Sequence, residues 1–180
     1  MNNVVINKIP VRVCYEIYGT DEYYKKHGDS YINYHISEVQ YLINKNIDKI
    51  IDNNMNNILD LCSGNGEITD LFVQKGIDNI IGCDPYMDQI YMKKTGKHCY
   101  NCSFLDIING KSIGKFDIVI CSFGTHLCND NMIYNLICML KYEYNVNKLV
   151  IITPNKKPTI KKNMIYEEKY KKVRIRIYDL

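Results

Sequence analysis

A chain of 180 residues, 46% hydrophobic and 24% charged, is long enough to bury a real core and is expected to form one domain over 1–180. Its formal net charge of +3 excludes a strong global field of the kind that marks many nucleic-acid binders. No apolar run approaches the ~18 residues of a membrane span, and the amino terminus lacks a signal-peptide core. A reducing, cytoplasmic setting with no membrane partner is therefore expected. The eight cysteines fit that setting. Cys62, Cys83, Cys121 and Cys138 sit in apolar runs, where a free thiol behaves as a small hydrophobe. Cys99 and Cys102 beside His98 lack a second pair at zinc-finger spacing, so no metal is expected.

In chain order, Val4–Ile6 and Val11–Cys14, interrupted by Pro10, read as an extended arm or loose strand. Thr20 or Asp21 can cap a short helix that Gly28 ends. Tyr23, Tyr24, Tyr31, Asn33 and His35 form an aromatic and polar cluster that core packing alone can explain. A helix follows from about Ser37 to Asp52, with Val39, Leu42, Ile43, Ile47 and Ile50 as its apolar stripe.

Ile58-Leu59-Asp60-Leu61 reads as a short buried strand that breaks into the turn Cys62-Ser63-Gly64-Asn65-Gly66. The helical pattern after it places Ile68, Leu71 and Phe72 on one face, with Glu67 and Asp70 in the first turn, where acids favour a helix start. Strand, glycine turn and helix in this order make a nucleotide-cradling corner, or simply a tightly packed one. Asp60 sharpens the reading, because a carboxylate beside the turn repels a pyrophosphate and suits a ligand carrying an ammonium group. Asn79 to Cys83 is a second buried strand with Asp84 at its carboxyl end. The acid follows Gly66 at close to the ~20-residue separation of dinucleotide folds, where it accepts from ribose hydroxyls. Tyr86, after Pro85, is placed to pack on an adenine face.

The run Asp60-Leu61-Cys62-Ser63-Gly64-Asn65-Gly66, followed by Asp84, resembles the first motifs of class I S-adenosylmethionine-dependent methyltransferases. Cys62 stands where that family usually has its first glycine. The resemblance implies an α/β fold: a doubly wound, mostly parallel sheet with helices on both faces and a C-terminal antiparallel hairpin. It implies S-adenosylmethionine as cofactor, held by Asp60, Cys62, Ser63, Gly64, Asn65, Gly66, Asp84, Pro85, Tyr86, Leu105, Asp106, Ser122 and Phe123. It also implies that 1–55 forms an arm and lid over a core at 56–180. Tyr24, Tyr31 and His35 are then candidates for the substrate mouth.

A helix from about Met87 to Thr95 leads to a third strand near His98–Ser103. In the resembled family Asp106 would accept from the adenine amino group; capping of the next turn is the alternative. Asn109–Gly114 is a loop, and Phe116–Ser122 a fourth strand. The Ser122-Phe123-Gly124-Thr125-His126-Leu127 segment lacks the Asn/Asp-Pro-Pro-aromatic signature of exocyclic base amine methylation, and no Lys-Asp-Lys-Glu tetrad of ribose methylation is present. His126 is the candidate general base, against a packing or capping role. A helix at about Asp130–Tyr142 and a fifth strand at Lys148–Thr153 follow. Tyr166–Lys171 and Val173–Tyr178 form the closing hairpin, the second strand alternating as if one face were solvated.

Methyl transfer needs chiefly alignment of nucleophile, methyl and sulfur. The acceptor is open. The basic C-terminal region, with Lys156, Lys157, Lys161 and Lys162, is either a solvated face or a contact for a polyanion such as RNA. Retained Asp60, Asp84 and Asp106 favour cofactor binding, whether in an enzyme or in a non-catalytic subunit that stimulates a partner enzyme.

Overall fold

The structure is a computed structural model and describes residues 11–52, 57–156 and 160–180. Up to Ile32 the described chain is one compact unit, and from Asn33 to Leu180 another. The first unit holds α1 (Val11–Tyr18), α2 (Thr20–His27) and a 3-10 turn at Gly28–Ser30. Helix α1 replaces the loose strand expected over Val11–Cys14, while Val4–Ile6 and Pro10 lie outside the described residues. A Val-Arg-Val run also suits the opening turn of a helix, and Val11, Cys14, Tyr15 and Tyr18 recur at helical spacing. Gly19, at φ 76, precedes α2 with no side-chain cap bond, so neither Thr20 nor Asp21 caps it; Gly28 ends it as expected. Tyr15 packs edge-on to Tyr23 at 5.2 Å, and Tyr24 lies 5.9 Å from Tyr31.

The second unit runs α3 (Ile36–Ile50), β1 (Ile58–Leu61), α4 (Glu67–Val73), β2 (Ile80–Cys83), α5 (Asp88–Thr95), β3 (Cys99–Tyr100), α6 (Phe104–Ile108), β4 (Ile118–Ser122), a 3-10 turn (Thr125–Leu127), α7 (Asp130–Tyr142), β5 (Lys148–Thr153), β6 (Met164–Tyr170) and β7 (Val173–Asp179). The strands form one sheet in the order β3-β2-β1-β4-β5-β7-β6. β1 to β5 are parallel, and β7 runs antiparallel to both β5 and β6. β3 is two residues long, shorter than the strand expected at His98–Ser103.

Helices cover both faces, which is why β1, β4 and β5 read as continuous apolar runs. On one face Leu59, Val119, Cys121 and Ile151 pack with Ile107 of α6 and Leu136 and Leu140 of α7. On the other, Ile58, Ile120 and Val150 pack with Leu42 and Ile43 of α3 and Phe72 of α4. One expectation fails: β7 has no solvated face. On the face expected to be solvated, Arg176 and Tyr178 are buried and Arg174 is half-buried, because Tyr178 packs into the cluster of Tyr144, Val146 and Met164. Arg176 is accommodated by a 3.2 Å ion pair to Glu167 and a bond donated to the Lys156 carbonyl. The outer strand β6 alone alternates between half-buried and exposed positions.

The strand order reverses between β1 and β4, and in such sheets ligands bind in the crevice beyond the carboxyl ends at that point. All eight cysteines are free. No helix among the described residues is long and apolar enough to cross a membrane.

Candidate functional site

Asp60, one residue before the end of β1, is fully buried. The Thr69 hydroxyl of α4 donates to its Oδ2 at 2.8 Å, and, having spent its one proton, Thr69 accepts from the Tyr91 hydroxyl of α5, also at 2.8 Å. Oδ1 of Asp60 has no hydrogen-bond partner. Burial, opposed by the Thr69 bonds and reinforced by Asp84 and Glu67, pushes this carboxyl up to about 7. A buried acceptor without a donor is costly, and this one sits among like charges. The pattern suits a cationic ligand.

The turn after β1 is built by backbone bonds: the Cys62 and Ser63 amides both donate to the Cys83 carbonyl. Gly64, at φ 52, donates its amide to Asp84 Oδ2 at 3.0 Å, and a Cβ there would meet nothing within 4 Å. The turn is therefore open on that side to close approach by a ligand. Asp84 Oδ1 accepts from the Tyr86 and Met87 amides at 2.9 and 3.0 Å. Burial raises its carboxyl despite these bonds. A carboxylate offers about four lone-pair positions, so Oδ2 keeps one for an incoming hydroxyl. Tyr86 beyond it is partly exposed, as is Leu105 on α6.

Asp106 does what the capping alternative required. Ser103 and Asp106 form a reciprocal capping box for α6, with Oδ2 accepting from the Ser103 amide and hydroxyl at 2.8 Å each. Any adenine contact falls to the remaining oxygen.

Two non-glycine residues adopt left-handed backbone at the ends of neighbouring strands: Cys62 at φ 61 and Phe123 at φ 60. Such a conformation costs about 1–2 kcal/mol for an L-residue, which explains why glycine is usual at the position of Cys62. Gly124 makes room for its thiol, since a Cβ there would lie 2.3 Å from Cys62 Sγ. Gly124→Ala is expected to destabilise by about 1–3 kcal/mol through overpacking. Adding Cys62→Gly removes both the sulfur and the strain, so the double variant should recover most of that loss. Urea unfolding of the four proteins in this cycle measures the coupling.

Phe123 stacks on His35 with ring centroids 5.6 Å apart and planes at 24°. His35 Nδ1 is buried without a hydrogen bond, 3.7 Å from Glu38 Oε1. Asn33 ties this segment to the turn: its Oδ1 accepts from the His35 amide at 3.0 Å, and its amide group bonds Glu67, the first residue of α4. Ser122 Oγ and Thr125 Oγ1 are also buried without partners. Thus Asp60, Ser122, Thr125 and His35 supply four of the five unpartnered buried side-chain polar atoms among the described residues. Asp60 and Ser122 lie at the carboxyl ends of β1 and β4, Thr125 lies on the 3-10 turn after β4, and His35 stacks on Phe123 between them.

The structure thus joins Asp60, the 62–66 turn and Asp84, and separately joins His35 to Phe123. Tyr24 and Tyr31 meet within the first unit, and His126 is exposed on the 3-10 turn. Thr69, Tyr91 and Glu67 were missed. Thr69 had a signal, a polar residue among the apolar positions of α4; Tyr91 had none. A cavity of about 140 Å³ at the amino ends of β1 and β2, lined by Asn57, Ile58, Asn79 and Phe116, includes none of these residues.

Strand order, antiparallel β7 and the glycine turn after β1 together define a class I methyltransferase fold. The chain superposes on magnesium protoporphyrin IX methyltransferase (ChlM) from Synechocystis PCC 6803 with bound SAM at TM-score 0.59, with 16% identity, over 99% of this chain and 98% of that one. Ribosomal protein L11 methylase from Lactobacillus delbrueckii subsp. bulgaricus matches at 0.59, with 12% identity, over 83% and 80%. The 16S rRNA methyltransferase RmtF in complex with S-adenosyl-L-homocysteine matches at 0.60, with 10% identity, over 81% and 64%. In sequence, an uncharacterized protein of Schizosaccharomyces pombe is 25% identical over 79% of this chain and 74% of its own length. No family model matches.

Proposed function

We propose that this chain binds S-adenosylmethionine in the crevice above β1 and β4 and transfers its methyl group to an acceptor, with RNA as the acceptor class. The observation that carries the reading is the unpartnered Oδ1 of buried Asp60, raised towards neutrality beside an open glycine turn. S-adenosylmethionine supplies a cationic ammonium group for that oxygen and a methyl already activated on a sulfonium. Asp84 uses its remaining lone pair to accept from ribose hydroxyls. Backbone of the 62–66 turn approaches the ligand where Gly64 carries no Cβ, and Pro85, Tyr86, Leu105 and Asp106 flank the base. Ser122 and Phe123 form the floor at the reacting end, where the Phe123–His35 stack excludes water. His35 belongs to the substrate mouth, and His126 takes the acceptor's proton where the nucleophile arrives protonated.

Two features support RNA: the basic residues before and within the hairpin, among them Lys156, Lys161 and Lys162, and the fold shared with a 16S rRNA methyltransferase. Calorimetry with S-adenosylmethionine tests the cofactor site. Wild type should bind with a dissociation constant in the micromolar range, and Asp84→Ala should weaken binding at least tenfold, the loss of one or two hydrogen bonds to a charged group. An unchanged affinity in that variant overturns the assignment. Release of labelled methyl onto RNA then tests the acceptor.

A further inference from the structure

The outer stripe of α3 continues the site along the surface. Glu38, Tyr41, Lys45 and Lys49 recur at helical spacing, and every one meets the closing hairpin or its turn. Tyr41 stacks face to face on Tyr170 at 3.9 Å and 25°. Lys45 pairs with Glu168, and Lys49 lies 4.8 Å from the Tyr166 ring. The Ser37 hydroxyl, and more weakly the Lys171 ammonium, hold the Glu38 carboxyl below its usual range. Glu38 in turn faces His35, which stacks on Phe123. The stripe therefore begins at the crevice. It extends along the 15 residues of α3, about 20 Å at ~1.5 Å per residue.

The acids of this stripe lie underneath and the cations outside. Side chains of Glu38 and Glu168 are 13% and 17% exposed, against 52% for Lys45. Tyr41 keeps 42% of its surface exposed although Tyr170 covers one ring face and the Lys45 ammonium stands 5.9 Å from the ring centre. Lys171 and Lys172 alone connect β6 to β7, and Lys171 takes φ 50. Two-residue hairpins favour Asn-Gly at such positions because left-handed backbone disfavours other residues. Two lysines there place charge where a more stable turn would have none. An unfavourable backbone kept in place points to a use for it.

We propose that the α3–hairpin face is the docking surface for single-stranded nucleic acid. An unpaired base stacks on the exposed part of the Tyr41 ring turned away from Tyr170, beside the Lys45 ammonium, while Lys45, Lys49, Lys171 and Lys172 line the backbone path towards the Phe123–His35 end of the crevice. Aromatic platforms interleaved with lysine bind single strands in this way, with site sizes of about 4–16 nucleotides. The proposal rests on the methyltransferase reading and moves the RNA contact from Lys156, Lys161 and Lys162 to α3 and the hairpin turn.

The test is fluorescence anisotropy of the full chain with a labelled oligouridylate of about 12 nucleotides, titrated at several salt concentrations. Tyr41→Leu, which still packs on Tyr170, is expected to weaken binding about tenfold, while Tyr41→Phe binds as wild type does. Lys171→Gln with Lys172→Gln is expected to lower the log–log salt slope by about 1.4, at about 0.7 per lost phosphate contact. Duplex RNA of the same length, with its bases paired, should compete at least tenfold more weakly. S-adenosylmethionine affinity, measured on the same proteins, should not change. Absence of oligouridylate binding, equal competition by duplex, or wild-type affinity in Tyr41→Leu overturns the docking surface. Failure of wild type to bind S-adenosylmethionine overturns the methyltransferase reading instead.

Discussion

Asp60→Asn is expected to yield a protein that is more stable at pH 8 and has lost most of its affinity for S-adenosylmethionine. The folded carboxyl titrates at about 7 against an ordinary 3.8. The folded state thus holds this proton more tightly than the unfolded chain does. The stability it confers is complete below about pH 4 and is lost as pH rises towards 7. At pH 8 the ionised group costs on the order of 4 kcal/mol, at ~1.4 kcal/mol per unit. Asparagine keeps an oxygen for the Thr69 hydroxyl and carries no charge, so roughly half of that cost, about 2 kcal/mol, should be recovered, since its amide also needs a partner. Urea midpoints should separate at pH 8 and converge at pH 5. Affinity should fall roughly 10–100-fold, as for loss of a charged partner. In wild type the dissociation constant should rise as pH falls below 7, because the proton competes with the cationic ligand, and the variant should lose that dependence. Equal stability at pH 8, or a pH-independent wild-type affinity, contradicts this account of Asp60.

Gly66→Ala is the second large effect expected. Gly66 sits at φ 87, and a Cβ there would lie 2.3 Å from Thr95 Cγ2 and 3.3 Å from the Tyr91 ring. Strain of about 1–2 kcal/mol and overpacking of about 1–3 kcal/mol act together. Tyr91 is fully buried and bonds Thr69, which bonds Asp60. Movement of α5 therefore also disturbs the carboxylate. Thr95→Ser removes Cγ2 and keeps the hydroxyl that bonds the Tyr91 carbonyl and the Lys97 amide. The double variant should regain the overpacking part and retain the backbone part, a difference readable in thermal midpoints.

Much of this architecture was legible because strands buried on both faces announce themselves as apolar runs and helices by their spacing. The order of β1, β2, β4 and β5, the helix at Asp130–Tyr142 and the closing hairpin all follow from those two signals. Asp60 and Asp84 were legible as strand-end acids. What they bond to was not, because Thr69 and Tyr91 lie on different helices and meet only through packing. The mistaken readings share a cause. Val11–Cys14 is too short for its period to be told apart, and the alternation of Val173–Tyr178 cannot reveal that Tyr178 packs against Tyr144 and Val146 or that Glu167 and the Lys156 carbonyl hold Arg176. His35 against Phe123 joins a helix start to a strand end across 88 positions of sequence, a pairing no local pattern encodes.

Among the described residues the sheet stops at β6, whose outward edge has no strand beside it. An open edge is a template on which further copies can grow into fibres. Along β6 only Ile165 offers a well-exposed apolar side chain, at 59%, and Glu167 and Lys169 follow it on the same side of the strand at the next two alternate positions. In a parallel, in-register stack each of these charges would meet its own copy, and like charges directly opposite are destabilising, so this edge resists that mode of polymerisation.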